Sequence, residues 1–332
     1  MMKRIKSLFW LCVVALLAFA GWFAYFAISP LHLKPVNQEI SIAPKSSLKS
    51  VANQLVAQGV LAEPWRFIIL AKIFNKEVSL QSGNYTLNKN ISPYQLLLSL
   101  NNGKTTQASI TFIEGHAFEK MRDKLAKNEA VKQTIQGWTD EEILRFLGSE
   151  YKNAEGLFFP DTFYFDRDTS DLQILQRSYV AMQTKLNKAW QSRAQNLPYR
   201  NAYEALIMAS IIEKETGKAS ERPMIAGVFV NRLRIGMRLQ TDPTVIYGIG
   251  KSYDGNIRKK DLLTDTPYNT YTRAGLPPTP IAMPGLAAIE AALHPAETKA
   301  LYFVGKGDGS HVFSNNLATH TQAVNQYQLK QK

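Results

Sequence analysis

Residues 205–216 read ALIMASIIEKET: an apolar run from Ala205 to Ile212, broken only by Ser210, that ends in two glutamates, Glu213 and Glu215. The apolar positions fit a largely buried helix, so the segment predicts an interior element with carboxyl groups at its C-terminal end. On a helix, two positions apart is a rotation of about 200°. One glutamate can therefore face a cleft while the other cannot. Behind Glu215 lie Ile212, Ile211 and Met208; behind Glu213 lie Ser210, Ala209 and Leu206. Glu215 ends the more apolar stripe. A low-dielectric edge raises a carboxyl pKa, as a general acid working near neutral pH requires. The partial negative charge of a helix C-terminus pushes the same way. Taken alone, such a helix end more often carries two ordinary solvated glutamates in a last turn.

Upstream, helices are predicted near 117–127, 139–147, 171–195 and 201–216, with Pro198 separating the last two. Ile110-Thr111-Phe112 reads as a strand that opens this unit. Downstream, Met237 to Gly285 is rich in Pro, Gly, Tyr and Thr. A loop-rich stretch of that length inside a domain is usually functional. Then come a helix at Leu286–Leu293, a strand at Leu301–Val304, a strand from His311 to Phe313 and a last helix from His320 to about Leu329.

Residues 40–105 predict a smaller α+β module. Ile40-Ser41-Ile42 alternates like a strand. Ser46 or Ser47 caps a helix from Leu48 to Gln58, which Gly59 ends. Pro64 opens a second helix to about Phe74. Gly83 to Leu87 is a strand, and Ser92-Pro93 starts a helix stopped by Asn101-Asn102-Gly103. The order strand, helix, helix, strand resembles a LysM-like glycan-binding module; a spacer or packing domain fits the pattern equally well. The fold class expected for the whole chain is α+β.

Residues 8–28 carry no charge. As a helix they span roughly 30 Å, the thickness of a bilayer core. Lys3, Arg4 and Lys6 precede them, so the positive-inside rule keeps residues 1–7 in the cytoplasm and sends the bulk outward. Ala18-Phe19-Ala20 resembles a signal-peptide cleavage site. The apolar run continues past it to Ile28, which favours an uncleaved anchor. Residues 29–39, with two prolines, read as a linker.

The chain has 332 residues, enough for two domains and a tail, and 45% of them are hydrophobic, enough for a sizeable core. The formal net charge of +12 favours anionic partners, yet no nucleic-acid-binding motif is present. The single cysteine, Cys12, forms no internal disulfide, which suits an oxidising compartment. Leu8 to Leu11 lack the small residue that lipidation of Cys12 needs. The five histidines form no metal-binding pair, and no phosphate-binding glycine loop or G-x-S-x-G elbow occurs. Neither a metal nor a cofactor is expected. What remains is carboxylates beside aromatics: Glu155 and Asp161 in EGLFFPDTFYF, and Asp242 in GMRLQTDPTVIYG. Sugar rings suit such surroundings, because their apolar faces stack on aromatics while their hydroxyls need polar partners.

Six segments together resemble the endolytic murein transglycosylases, the MltG or YceG-like family. They are EGLFFPDTFYF at 155–165, ASIIEKET at 209–216, VFVNRLRIGMRLQTDPTVIYG at 228–248, YNTYTRAGLPPTPIAMPG at 268–285, AALHPA at 291–296 and HVFSNNLATH at 311–320. The resemblance implies an anchor, a LysM-like module at 40–105 and a catalytic domain at 106–332. It implies cleavage within peptidoglycan glycan strands, between muramic acid C1 and the next glucosamine, leaving a 1,6-anhydromuramic acid end. It also implies that Glu215 is the catalytic acid, with Thr216 as the hydroxyl residue that follows the acid in other lytic transglycosylases. Implied partners are the cytoplasmic membrane and the glycan polymerases (penicillin-binding proteins). Gln240, Thr241, Asp242, Tyr247, Tyr268, Asn269, Tyr271 and Glu155 are the candidates for orienting the sugar. One carboxyl group suffices if the nucleophile is the substrate's own C6 hydroxyl, since intramolecular attack reaches effective molarities of roughly 10⁵ M. A muramidase using water would instead need a second carboxylate roughly 5–9 Å away, with Asp242 or Glu155 as contenders. A non-catalytic wall-binding scaffold is the third reading.

Overall fold

The computed structural model describes residues 2–31, 33, 38–43, 45–76, 80–87, 90–103 and 108–329. The chain mixes helices and strands and divides into two compact units, Met1–Ala108 with Tyr164–Asp168, and Ser109–Phe163 with Thr169–Lys332. The expected boundary at 105/106 lies outside the described residues, as do residues 32 and 34–37 of the expected linker.

The first unit contains α1 (Met2–Ile28), β1 (Gln38–Ile42), α2 (Leu48–Ala57), α3 (Trp65–Ile73), β2 (Gly83–Leu87) and α4 (Pro93–Asn102). β1 and β2 pair antiparallel, with Ile40 opposite Tyr85. Alternation along β1 turns Ile40 and Ile42 into a core built with Val51, Leu55, Phe67, Leu70, Leu96 and Leu100. Residues chosen by local chemistry set the helix ends. Ser47 caps α2, a Ser92/Gln95 capping box opens α4, and Gly103, at φ 62°, closes it. Such a cap contributes about 1 kcal/mol. The amides of Gln54 and Gln58 accept hydrogen bonds from the Ala43 and Ser41 N–H groups, so α2 satisfies backbone at and just beyond β1.

The second unit holds β3 (Ala108–Thr111), α5 (Phe118–Ala126), β4 (Val131–Lys132), α6 (Asp140–Phe146), β5 (Thr162–Phe165), β6 (Thr169–Ser170), α7 (Asp171–Gln191), α8 (Ala202–Glu215), α9 (Arg222–Arg234), α10 (Asp242–Ile249), α11 (Lys259–Leu263), α12 (Leu286–Leu293), β7 (Tyr302–Gly305), β8 (His311–Ser314) and α13 (Leu317–Val324). α8 is its centre. Every residue from Ala205 to Ile212 is buried, against α7, α9, α10 and α12. α9 comes close to the turn after α12: a Cβ on Gly227 would stand 2.6 Å from the Ala296 carbonyl oxygen, so no larger residue fits there.

Four helices differ from, or are missing in, the sequence reading. The stretch expected to be loop, 237–285, contains the short helices α10 and α11. Asp242 and Pro243 read as turn residues but also suit a helix's first turn. α9 has no distinct apolar stripe because it is buried nearly all round, from Ile225 to Val230. The last helix begins at Leu317, capped by Asn316, rather than at His320.

Candidate active site

α8 ends by separating its two glutamates. Glu213 turns inward, where its Oε1 accepts from the Arg222 guanidinium at 3.0 Å and its Oε2 from the Gly285 N–H at 3.0 Å. The side chains of that ion pair are only 6% and 11% exposed. Burial raises the Glu213 pKa, partly offset by these two partners. Ser210, on the same flank, accepts the Ile281 N–H at 3.0 Å. Glu213 therefore serves the fold, tying α8 to α9 and to the start of α12.

Glu215 lies about 200° round the helix and meets one hydroxyl, that of Thr241, which donates to its Oε1. Burial pushes its carboxyl up to about 7; the Thr241 hydrogen bond, His311 and Arg232 pull the other way, and Asp242 adds to the rise. Because both flanks of α8 are buried, the greater apolarity behind Glu215 is not what distinguishes it. Unlike Glu213, it forms no ion pair among the described residues.

Thr241 is held rigidly. Its N–H donates to the Thr270 hydroxyl at 3.1 Å, and its carbonyl accepts from the Thr244 hydroxyl at 2.8 Å. Thr244 and Thr270 share a further hydroxyl bond at 2.9 Å, and all three threonines are buried. The preceding residue, Gln240, takes φ +48°, a left-handed conformation held by its N–H bond to the Thr270 carbonyl at 3.1 Å. Such a conformation costs on the order of 1 kcal/mol and is concentrated at functional sites. Thr216 is buried, and its hydroxyl accepts the Lys218 N–H at 3.0 Å, capping the end of α8.

Glu215 opens on a cavity of about 490 Å³, lined also by Gln240, Asp242, Tyr271, Arg232, Tyr302, His311 and His320. Asp242 accepts from the Tyr271 hydroxyl at 2.6 Å. Burial, followed by that contact, holds the Tyr271 phenol well above its usual range, so it stays a donor. Arg232 braces the floor, donating to the Leu301 and Leu239 carbonyls at 2.6 Å each. The His311 ring nitrogen Nδ1 meets Glu221 at 2.7 Å, and its N–H meets the same carboxylate at 3.3 Å, which fixes the ring. Arg232, His311, His320 and Tyr302 were not singled out by sequence reasoning. Arg232, His311 and His320 fall within the family-resembling segments at 228–248 and 311–320, but nothing in residue type marks any of the four as a site.

The remaining sequence candidates lie outside this lining. Glu155, buried and pushed up to about 7 by its burial, accepts from the Phe118 N–H at 3.1 Å and the Tyr247 hydroxyl at 3.2 Å. Tyr247 packs edge-on against Tyr268, whose hydroxyl meets Thr279 at 2.9 Å. Asn269 donates to the carbonyls of Asp261, Leu262 and Thr264 and accepts the Tyr271 N–H. These four support α10 and the loop that carries Thr270 and Tyr271. Among the described residues, no three His, Cys, Asp or Glu side chains converge to hold a metal ion.

A Bacillus subtilis endolytic murein transglycosylase is 32% identical over 318 residues, covering 89% of this chain and 88% of that protein. A Streptococcus pneumoniae endolytic murein transglycosylase is 27% identical over 95% of this chain, which spans 63% of that relative's length. A crystal structure of a yceG-like protein from Listeria monocytogenes, 30% identical, superposes with a TM-score of 0.54 and covers 86% of this chain and 98% of its own. The YceG-like family model matches residues 40–326, from β1 through α13, and with that span and those relatives the chain belongs to the YceG-like family.

Proposed function

We propose that the protein is an endolytic murein transglycosylase in which Glu215 alone handles the proton. The observation that carries this reading is a carboxyl group held near pKa 7 at the edge of a cavity, paired with a hydroxyl instead of a cation. The relatives' shared name supplies the substrate class, the peptidoglycan strand. Protonated Glu215 donates to the glycosidic oxygen, and the bond from that oxygen to muramic acid C1 breaks. The C6 hydroxyl oxygen of the same sugar attacks C1, and its proton passes to the Glu215 carboxylate. The acid is regenerated, no water is consumed, and a 1,6-anhydro end is left. The Asp242 carboxylate, in the same cavity, stabilises the positive charge that develops at C1. Gln240, Thr241 and Tyr271 orient the sugar, while Glu155, Tyr247, Tyr268 and Asn269 position the loop that presents them.

Phe9–Ile28 is apolar and long enough to cross a bilayer, and Lys3, Arg4 and Lys6 keep its N-terminus in the cytoplasm. The catalytic domain, 106–332, then works in the periplasm on nascent strands beside the glycan polymerases, ending their elongation. Residues 40–105 act as a LysM-like glycan-binding module; the order β1, α2, α3, β2 supports that assignment.

Mass spectrometry of the products of full-length protein acting on glycan strands tests the chemistry. Anhydro ends are expected. Reducing ends would favour a second reading, hydrolysis with Asp242 as base, which the presence of Asp242 in the same cavity makes specific.

The rate should also follow the acid form of Glu215. kcat/KM is expected to be level below about pH 7 and to fall about tenfold per unit above it. The Thr241 hydrogen bond lowers this pKa, so Thr241→Val should move the alkaline limb upward while reducing the maximal rate. A limb that moves down, or stays, would show that Thr241 does not act on the acid.

A further inference from the structure

Helix α3, WRFIILAKI, has only two charged side chains, Arg66 and Lys72. Phe67, Leu70 and Ala71 face the core of the first unit. The opposite side is not polar: Trp65 is 39% exposed, Ile73 60% and the adjoining Phe74 44%. A helix that is apolar on all sides belongs in a protein interior or in lipid. Arg66 does not make this face polar, because it pairs with Glu63 and lies 4.5 Å over the Trp22 ring, turned toward α1.

α3 runs beside the outer end of α1. Trp22 and Trp65 stack with centroids 6.1 Å apart, and Phe23 and Ala27 are buried in the same core as Phe67 and Leu70. Between the helices lies an apolar groove of about 600 Å³, walled by Phe19, Phe23 and Ala27 on one side and Ile69, Ile73 and Phe74 on the other. Length fixes the depth of this groove. Phe9–Ile28 is 20 residues. At 1.5 Å per residue that is about 30 Å, the whole hydrocarbon core. Its outer ten residues, from Phe19, cover about 15 Å, which is one leaflet. α3 packs against that half.

Resting on the anchor reading above, we propose that α3 is a second membrane-inserted element, seated in the outer leaflet, and that phospholipid acyl chains fill the groove between it and α1. The groove is continuous with the lipid-facing side of α1, where Val14, Leu16 and Leu17 are exposed. Lys72 is exposed on α3, and a lysine there reaches the phosphate headgroups by extending its stem. A single spanning helix leaves the outer module free to rotate about its axis. Two inserted elements fix which side of the module faces the bilayer.

The test uses the full chain with Cys12→Ser and one new cysteine, Ile73→Cys, carrying an NBD fluorophore. The protein is reconstituted singly into nanodiscs of phosphatidylcholine and phosphatidylglycerol, with and without doxyl-labelled lipid. Val14→Cys is the membrane reference and Lys49→Cys, exposed on α2, the aqueous one. Because Ile73 is exposed, the label leaves the core intact, and an unchanged thermal melt verifies this. At position 73 the expected result is a blue-shifted emission and a loss of intensity to doxyl lipid matching position 14, with neither at position 49. Water-like emission at 73 beside membrane-like emission at 14 overturns the proposal and leaves the anchor standing. A blue shift without quenching also overturns it, in favour of protein covering the face. A purified chain whose mass lacks the residues before Gly21, and which stays out of the discs, removes the anchor and the proposal together.

Discussion

Glu215→Gln is expected to lower kcat by about 10²–10⁴-fold while leaving strand binding and thermal stability nearly unchanged. The amide keeps the shape of the carboxyl and its contact with Thr241, but it has no proton to give. It also removes the cost of holding an ionisable group in a buried position, so the fold has no reason to weaken. The measurement is anhydro-ended product released per minute, with binding and melting followed on the same preparation. Retained turnover would remove Glu215 from the mechanism. An equal loss of binding and turnover would make it a contact for the sugar and not an acid.

Glu213→Ala should do the reverse. The substitution leaves the Arg222 guanidinium buried without its anion and the Gly285 N–H without its acceptor. Breaking a buried ion pair from one side costs roughly 3 kcal/mol, which in a unit of this size lowers Tm by roughly 6–12 °C. The protein that remains folded at low temperature should retain turnover, because Glu213 touches nothing in the cavity that Glu215 opens on. The melt belongs at pH 8, where the raised Glu213 carboxyl is most fully charged and the lost pairing is largest. A variant that melts normally but turns over slowly would reverse the roles of the two glutamates. The pair of substitutions thus separates stability from chemistry at two glutamates two positions apart.

Much of this was legible in the chain itself because it rests on local rules. The burial of α8 follows from the run Ala205–Ile212, and the ends of α2 and α4 from Ser47, Ser92 and Gly103. The spacing of Glu213 and Glu215 already required them to diverge, whatever the surroundings. The proposal that Glu215 serves the chemistry rests on partners and not on the stripe behind each glutamate, since both stripes are buried. Those partners come from far away in sequence: Arg222 and Gly285 for one, Thr241 for the other. Among the sugar-orienting candidates, residue type could not separate Asp242 and Tyr271, which share the cavity, from Glu155 and Tyr247, which bond each other elsewhere. Arg232 and His311 had no signal beyond lying in family-resembling segments, because a single arginine or histidine carries no pattern until folding brings it beside a carboxyl group. The sequence determined the elements, the central helix and the two carboxyl groups, through periodicity and capping. Only the tertiary structure decided which carboxyl is left without a cation, and with it a pKa near 7, because burial and pairing depend on contacts that a one-dimensional pattern does not encode.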